Sequence, residues 1–212
     1  MTFDPRAVVH AYELIADGYA GRFGGDLAVG TMDRAVLDAA LGSRGPSGRV
    51  LDLGCGPAPV ASYVMGRTRG AVGVDLTPAM LAVARRCSSR IPLVNGDVLA
   101  LPLRDGAADG AIAWFSLHNL PRSLLGQAVG EVRRALRPEG VFVIATHAGR
   151  GHDVVEHVWR GTTEDVIITY YDADQLRAAL GRHRFEVLDV QSREPRAHEH
   201  AATKLFVTAR AG

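Results

Sequence analysis

Lysine is almost missing from this 212-residue chain: of its 24 basic residues, only Lys204 is one. The arginines are scattered from Arg6 to Arg210, with no dense cluster and no interleaved aromatics, so no basic stripe marks a nucleic-acid surface. A formal net charge of +1 removes a global field as well. Cysteine is nearly as scarce. Cys55 lies in a glycine turn and Cys87 at a helix end, so neither a disulfide nor a metal site is expected. Long apolar runs are also missing. No stretch approaches the roughly 20 residues that cross a bilayer, and the first residues, MTFDPRAVVHAYELIADGY, carry charge early. These absences predict a cytoplasmic protein that binds no nucleic acid and enters no membrane.

What is present is apolar periodicity. The 47% apolar content supports a folded chain of one full core with a small appendage. Asp4-Pro5 starts a helix in which Val8, Tyr12, Ile15 and Tyr19 recur at helical spacing. Gly24-Gly25 breaks the chain before a second helix, about 30–41. RVLDL is then a short apolar strand, followed by a glycine turn and a helix running to about Gly66. AVGVD (71–75), IPLVNGD, GAIAWFS (110–116) and GVFVIATH (140–147) are four further strands. Between them lie helices opening at Thr77-Pro78, with Met80, Leu81 and Ala84 inward, and over LLGQAVGEVRRAL. Strands this apolar, separated by helices, predict a parallel sheet covered on both faces. VIITYY (166–171) is a possible strand and 172–180 a short helix. FEVLDVQS and KLFVTARA lack a crossover helix, so they predict an antiparallel edge hairpin. The fold class is therefore α/β, a Rossmann-like doubly wound sheet of seven strands, mostly parallel. There is no internal repeat or low-complexity linker.

The turn in VLDLGCGPAPVASYV (50–64) follows a strand that ends where open α/β folds bind ligands. A dinucleotide fingerprint wants G-x-G-x-x-G, and Pro59 occupies its sixth position. Pro57 and Pro59 also lack the N–H groups that a pyrophosphate seeks. The turn suits a ligand packed edge-on against backbone and carrying less negative charge. An NAD-dependent oxidoreductase is thus the weaker enzymatic alternative, and a non-catalytic cofactor-binding scaffold or regulatory protein is the non-enzymatic one.

The ordered set DLGCGP, AVGVDLTPAML and VNGDVLALPL closely resembles class I S-adenosylmethionine-dependent methyltransferases, in the branch that modifies small molecules. The likeness covers about residues 45–147 and extends through AIAWFSLHNLP and EVRRALRPEGVFVIATH. It implies S-adenosylmethionine as cofactor, S-adenosylhomocysteine as product, and methyl transfer to O, N or C of a small organic acceptor. Motif I, Val50 to Ala58, would contact the methionine half through Asp52, Leu53, Gly54, Cys55 and Gly56. Asp75 would accept the two ribose hydroxyls. Leu76 would pack on the adenine, with Met80 beside it, while Gly96, Asp97 and Val98 would grip its edge. Phe115 and Ser116 complete that wall. Two departures stand out: the family usually has glycine where this chain has Ala58, and where it has Glu139 in LRPEG. The acceptor-side DPPY or NPPY motif of adenine and glutamine methyltransferases is replaced by WFSLHN, against methylation of DNA bases.

Such a reaction needs alignment of donor and acceptor and exclusion of water; a base is needed only where the acceptor must lose a proton. His118 and His147 end the fourth and fifth strands and are the candidate acceptor-binding or proton-removing residues, since histidine titrates in the useful range. The EPRAHEH loop, with Glu194, His198, Glu199 and His200, is placed to reach over the acceptor, and HDVVEHVW is a candidate wall. His198 and His200 have no third ligand specified, so no metal is expected. Tyr12 and Tyr19, seven residues apart, share one face of the first helix, which is expected to lid the cofactor. Residues 1–44 thus form a helical cap on a methyltransferase domain of residues 45–212, as a monomer or a dimer.

Overall fold

The computed structural model describes residues 4–23, 31–42, 48–155, 166–197 and 199–212. In chain order the helices are α1 Pro5–Phe23, α2 Thr31–Gly42, α3 Pro59–Met65, α4 Pro78–Cys87, α5 Arg122–Ala135 and α6 Ala173–Arg182. The strands are β1 Arg49–Leu53, β2 Gly70–Asp75, β3 Leu93–Asn95, β4 Ala108–Trp114, β5 Leu136–His147, β6 His152–Val155, β7 Val166–Thr169, β8 Phe185–Arg193 and β9 Lys204–Ala211. Seven strands form one sheet in the order β3-β2-β1-β4-β5-β9-β8. The first five are mutually parallel; β9 runs antiparallel to both β5 and β8. The expected edge hairpin is therefore present, with β9 on the inside and β8 at the rim. VIITYY contributes β7, which leaves the main sheet and pairs with β6 in a separate two-stranded ribbon.

Alternate residues of the central strands face opposite layers. Val50, Ile112, Val143 and Phe206 pack with Val36, Leu37, Val60, Val64 and Leu81 from α2, α3 and α4. Leu51, Ala111, Ile144 and Val207 pack with Val129, Val132, Leu176 and Leu180 from α5 and α6. A strand buried on both faces needs apolar residues in succession, which is why β1 and β4 carry no polar alternation. A third cluster lays Ile15 and Ala16 of α1 on Met80 and Val83 of α4. The Asp17–Arg86 ion pair joins the same two helices. Local capping agrees with the residues: Asp4 Oδ1 accepts the Arg6 N–H at 2.9 Å ahead of α1, and Asp172 forms a reciprocal capping box with Gln175 at α6.

Ala58 and Glu139, the two residues that stand where glycine is usual, both adopt left-handed backbone, with φ of 62° and 64°. An L side chain there costs about 1–2 kcal/mol. The Ala58 methyl is fully buried in the α2–α3–α4 layer, and burying it contributes about 0.8 kcal/mol in return. The Glu139 side chain is 60% exposed and lies only 3.6 Å from Arg210, an ion pair of little worth at the surface. Relief of the left-handed strain at Glu139 is opposed only by the extra freedom of an unfolded glycine, about 0.4–1 kcal/mol. Glu139→Gly should therefore raise stability by up to about 1 kcal/mol, or a melting temperature gain of about 2–4 °C. Ala58→Gly should leave the melting temperature nearly unchanged, and calorimetric scans of the two variants check the contrast.

Candidate active site

The sheet order reverses between β1 and β4, and open α/β sheets bind ligands at that crevice. A cavity of about 410 Å³ opens there, lined by the carboxyl ends of β1, β2, β4 and β5, by α1, and by the chain preceding β9. On the β1–β2 side the glycine loop spends its amides internally. The Gly54 and Cys55 N–H groups both donate to the Val74 carbonyl, at 2.7 and 3.1 Å, and Ala58 N–H donates to the Cys55 carbonyl at 2.8 Å. Gly56 N–H donates to Asp75 Oδ2 at 2.7 Å. Pro57 and Pro59 have no N–H. The loop thus has no donor to offer a pyrophosphate, which answers why prolines are tolerated there. Gly54 is required by packing: a Cβ would sit 2.3 Å from the Ser116 Cβ, and Ser116 Oγ donates to the Leu53 carbonyl at 2.6 Å.

Asp75 also accepts the Thr77 N–H on Oδ1, at 2.8 Å. The Thr77 hydroxyl is a third donor to this carboxylate, so three of its roughly four lone-pair sites are engaged. Burial raises the Asp75 pKa against the two amide bonds and the Thr77 side chain. Asp52 accepts the Ala61 N–H at 2.9 Å and is pushed up to about 7 by burial, with the Asp75 charge adding to it. The Asn95 side chain spans the carbonyls of Asp75 and Leu76, at 3.0 and 2.9 Å. Asp97 Oδ1 accepts the Leu99 N–H at 2.8 Å, shaping its loop. Tyr12 and Tyr19 meet edge to face at 5.9 Å, and the Tyr12 hydroxyl accepts from Asn119 Nδ2 at 3.1 Å.

The β4–β5 side is aromatic. Phe115, held at a left-handed φ of 51°, faces His147 at 5.2 Å and His118 at 6.4 Å between ring centres. His118 to His147 and His147 to His200 are each 5.0 Å. Tyr170 stacks on His200, with their polar atoms 2.7 Å apart. Burial, then His200 and Lys204, pushes His118 down to about 3; burial, then His118 and Lys204, pushes His147 down to about 2. Lys204 Nζ lies 3.2 Å from His147 Nδ1. An ammonium has no lone pair, so Nδ1 accepts and the His147 ring proton is assigned to Nε2. The wall above is fixed by ion pairs: Arg193 binds Asp33 of α2 at 2.9 Å and Glu199 at 2.7 Å, and Arg196 binds the same two carboxylates.

Residues 50–140 match the family described as a methyltransferase domain. A malonyl-acyl-carrier protein O-methyltransferase of Serratia marcescens is 29% identical over 190 residues, covering 88% of this chain and 71% of that protein. A demethylmenaquinone methyltransferase of Thermus thermophilus is 37% identical over 128 residues, covering 58% of this chain and 55% of that protein. The fold matches the 1,6-didemethyltoxoflavin-N1-methyltransferase of Burkholderia thailandensis, solved with 1,6-didemethyltoxoflavin and S-adenosylhomocysteine. There the TM-score is 0.73 at 20% identity, over 100% of this chain and 92% of that one. Residues 50–140 thus carry a methyltransferase domain, in a fold shared with an S-adenosylhomocysteine-bound methyltransferase. The chain spans only about half the length of the Thermus relative.

This one cavity is lined by Tyr12, Tyr19, Asp52–Gly56, Asp75, Leu76, Met80, Gly96–Val98, Phe115, Ser116, His118 and His147, all singled out from the sequence for cofactor or acceptor, whereas Glu194 does not reach it. Glu199 and His200 line it too; His198 and the second half of the HDVVEHVW wall, 156–159 with Trp159, lie outside the described residues. Among the described residues no group of three metal-ligating side chains is found, and no helix is long and apolar enough to cross a membrane. Among the cavity residues not anticipated as site residues are Asp33, Trp114, Asn119 and Lys204. Trp114 Nε1, Asn119 Oδ1 and His118 Nδ1 are buried with no hydrogen-bond partner among the described residues. Orphaned polar atoms gathered in one cavity fit a polar ligand, because burying them unsatisfied is costly. The available signal for Lys204 was its rarity, a lone lysine opening an apolar strand.

The burial shifts set a pH dependence. Unfolded, His118 and His147 take up protons below their ordinary 6.5, whereas in the folded state they do not until about 3 and 2. Asp52 opposes them, holding a proton up to about 7 that the unfolded chain has lost above 3.8. Between pH 5 and 6.5 the unfolded chain therefore gains two protons and lacks one, a net excess of one. Stability should fall on acidification by on the order of 1 kcal/mol per pH unit. Asp75, also raised by burial, opposes the histidines in the same sense as Asp52; urea midpoints measured across that window check the net sign, and a flat profile would mean that the native protein binds as many protons there as the unfolded chain.

Proposed function

We propose that this protein moves a methyl group from S-adenosylmethionine to an O, N or C atom of a small organic acceptor seated against Phe115, His118 and His147. In this reading residues 1–44 are a helical cap and 45–212 the catalytic domain. The observation that carries the cofactor assignment is the pairing of a donor-free glycine loop with a buried acid that has a lone pair to spare. A dinucleotide needs the opposite arrangement, free amides at the loop. A ribose diol offers two donors, and Asp75 can receive them on its remaining lone-pair site and on the one that the Thr77 hydroxyl would give up to the ligand. Leu76, Met80 and Val98 present an apolar slot for a purine, and Asp97 stands at its edge for the exocyclic amine. Asp52, with Leu53 to Gly56 and the two tyrosines of α1, faces the amino-acid end, where a bound ammonium would draw Asp52 to its charged form.

Bound S-adenosylmethionine supplies a methyl group already activated on a sulfonium. The residues around it then have two tasks, alignment and exclusion of water. Phe115 and Ser116 fix the floor between the two halves. The aromatic wall of Phe115, Trp114 and Phe206 is rigid, with ring centres 5.4–6.4 Å apart. His118 and His147 stay neutral at physiological pH, so neither places a repelling charge beside a sulfonium. The same low basicity, and the engagement of His147 Nδ1 by Lys204, make them positioning groups rather than proton acceptors. Packing of α1 on α4 closes the solvent side.

Calorimetric titration of stripped protein with S-adenosylhomocysteine, and separately with NAD, tests the reading. Micromolar affinity for the first and none for the second is expected. Asp75→Asn should weaken S-adenosylhomocysteine by roughly 10- to 100-fold, the value of a hydrogen bond to a charged group, with far-UV circular dichroism showing the fold intact. NAD binding, or no binding of either, would overturn the assignment.

A further inference from the structure

We propose that the acceptor is an oxygen acid, a carboxylic acid or an acidic phenol or enol, and that Lys204 receives its oxyanion; this rests on the methyltransferase reading and names its substrate class. Lysine is rarely buried without a counter-ion, yet the only lysine of the chain is 2% exposed and lines the cavity. Its partners are neutral. Nζ donates to His147 Nδ1 at 3.2 Å and to the His200 carbonyl at 2.7 Å, and among the described residues the third donor of the ammonium has no hydrogen-bond partner.

The nearby carboxylates are already committed. Glu199 receives both Nη atoms of Arg193 at 2.7 Å, and Asp33 is held by Arg193 and Arg196 at 2.9 and 3.0 Å. Two acids and two guanidinium groups cancel, so among the described residues the charge of Lys204 is the excess on this side of the cavity. His118, His147 and His200 add bulk there, and the first two add no charge at neutral pH. A buried cation whose neighbours balance one another is costly by itself, and an incoming oxyanion removes that cost.

Lys204 is placed for the acceptor and not for the carboxylate of the cofactor. Register puts it opposite His147 at the end of β5, and β9 is three strands from β1 in the sheet. That separation is about 14 Å at the usual interstrand spacing. An acceptor held as its oxyanion has lost its proton before transfer. Its oxygen lone pair forms the new O–CH3 bond, the carbon–sulfur bond breaks with its electron pair left on sulfur, and no base in the wall is required. That agrees with two histidines too weakly basic to serve as one.

The single lysine makes a direct test possible. Full-length protein labelled with 13C-lysine gives one side-chain Cε resonance, read by NMR with S-adenosylhomocysteine bound. Burial holds the Lys204 ammonium down to about 8 against the opposing pull of Glu199 and Asp33, with Arg193 adding to the depression. Benzoate and 4-nitrophenol are the acidic probes; benzamide and nitrobenzene are their neutral counterparts. The acidic probes should shift the resonance and raise its titration midpoint, and the neutral ones should not. A response to benzoate alone assigns a carboxylic acid, and one to 4-nitrophenol alone a phenol or enol. Lys204→Met should weaken the acidic probe at least 10-fold and leave the neutral one within 2-fold. The proposal is overturned if acidic probes fail to bind or leave the resonance in place, or if Lys204→Met binds them as the parent does. Failure of S-adenosylhomocysteine itself to bind would instead count against the cofactor assignment.

Discussion

The end of β2 holds the whole site in shape. The Val74 carbonyl takes two amides of the glycine loop, and the next residue, Asp75, takes a third from Gly56 and a fourth from Thr77. Two consecutive residues thus fix the loop after β1 and the start of α4 with one set of hydrogen bonds. Everything selective about the cofactor side follows. Once those amides are spent, the loop presents bare backbone and small side chains, and the acid is the polar feature left facing the cavity. Buried and held by two amides, the carboxylate is oriented before any diol arrives, so little ordering cost falls on binding.

Charge is partitioned between the two halves. Acid lies on the β1–β2 side, in Asp52 and Asp75, and one excess cation lies on the β5–β9 side, in Lys204. Between them stand Phe115 and imidazoles that burial keeps neutral. In the proposed reading a sulfonium would lie between acids and uncharged rings, with the ammonium on the far wall. The Asp33–Arg193–Glu199–Arg196 group matters for the same reason. It ties α2 to the segment before β9, so the loop that carries His200 is anchored by four charges that sum to zero and leave the field of the pocket to one residue.

Much of this was legible in sequence because it rests on local pattern. Apolar runs such as RVLDL and GAIAW become central strands for the reason that marks them, burial on both faces, and the lack of a helix between 185 and 211 dictated an antiparallel end. The site residues near the glycine loop were legible because they fall at strand ends in succession. What escaped depends on contacts across the chain. That the loop amides are consumed requires knowing where Val74 and Asp75 sit. The strand at 166–169 was visible, but its separation from the main sheet depends on pairing with 152–155. Trp114 and Asn119 are ordinary residues by type, and their orphaned polar atoms appear only once the cavity is formed. The left-handed backbone of Ala58 and Glu139 was half visible, as two missing glycines whose conformation the chain kept.

A chain that uses arginine at every other basic position keeps a lysine at one, and the geometry supplies a reason. Arginine at 204 would bring five donors on a planar fork, fixed in charge at any accessible pH. The site offers two neutral acceptors, a ring nitrogen and a backbone carbonyl, at angles set by β5 and by the His200 turn. A guanidinium would leave three donors to satisfy on a side of the cavity whose carboxylates, Asp33 and Glu199, are already paired, and its length would push into the space that an acceptor needs. An ammonium spends two donors on those acceptors and keeps one. Being a compact charge on a flexible stem, it also accepts the partial desolvation that an apolar wall imposes, at the cost of a lowered pKa. The lysine is thus the cation that fits where the neighbours are neutral and a single donor has to face inward.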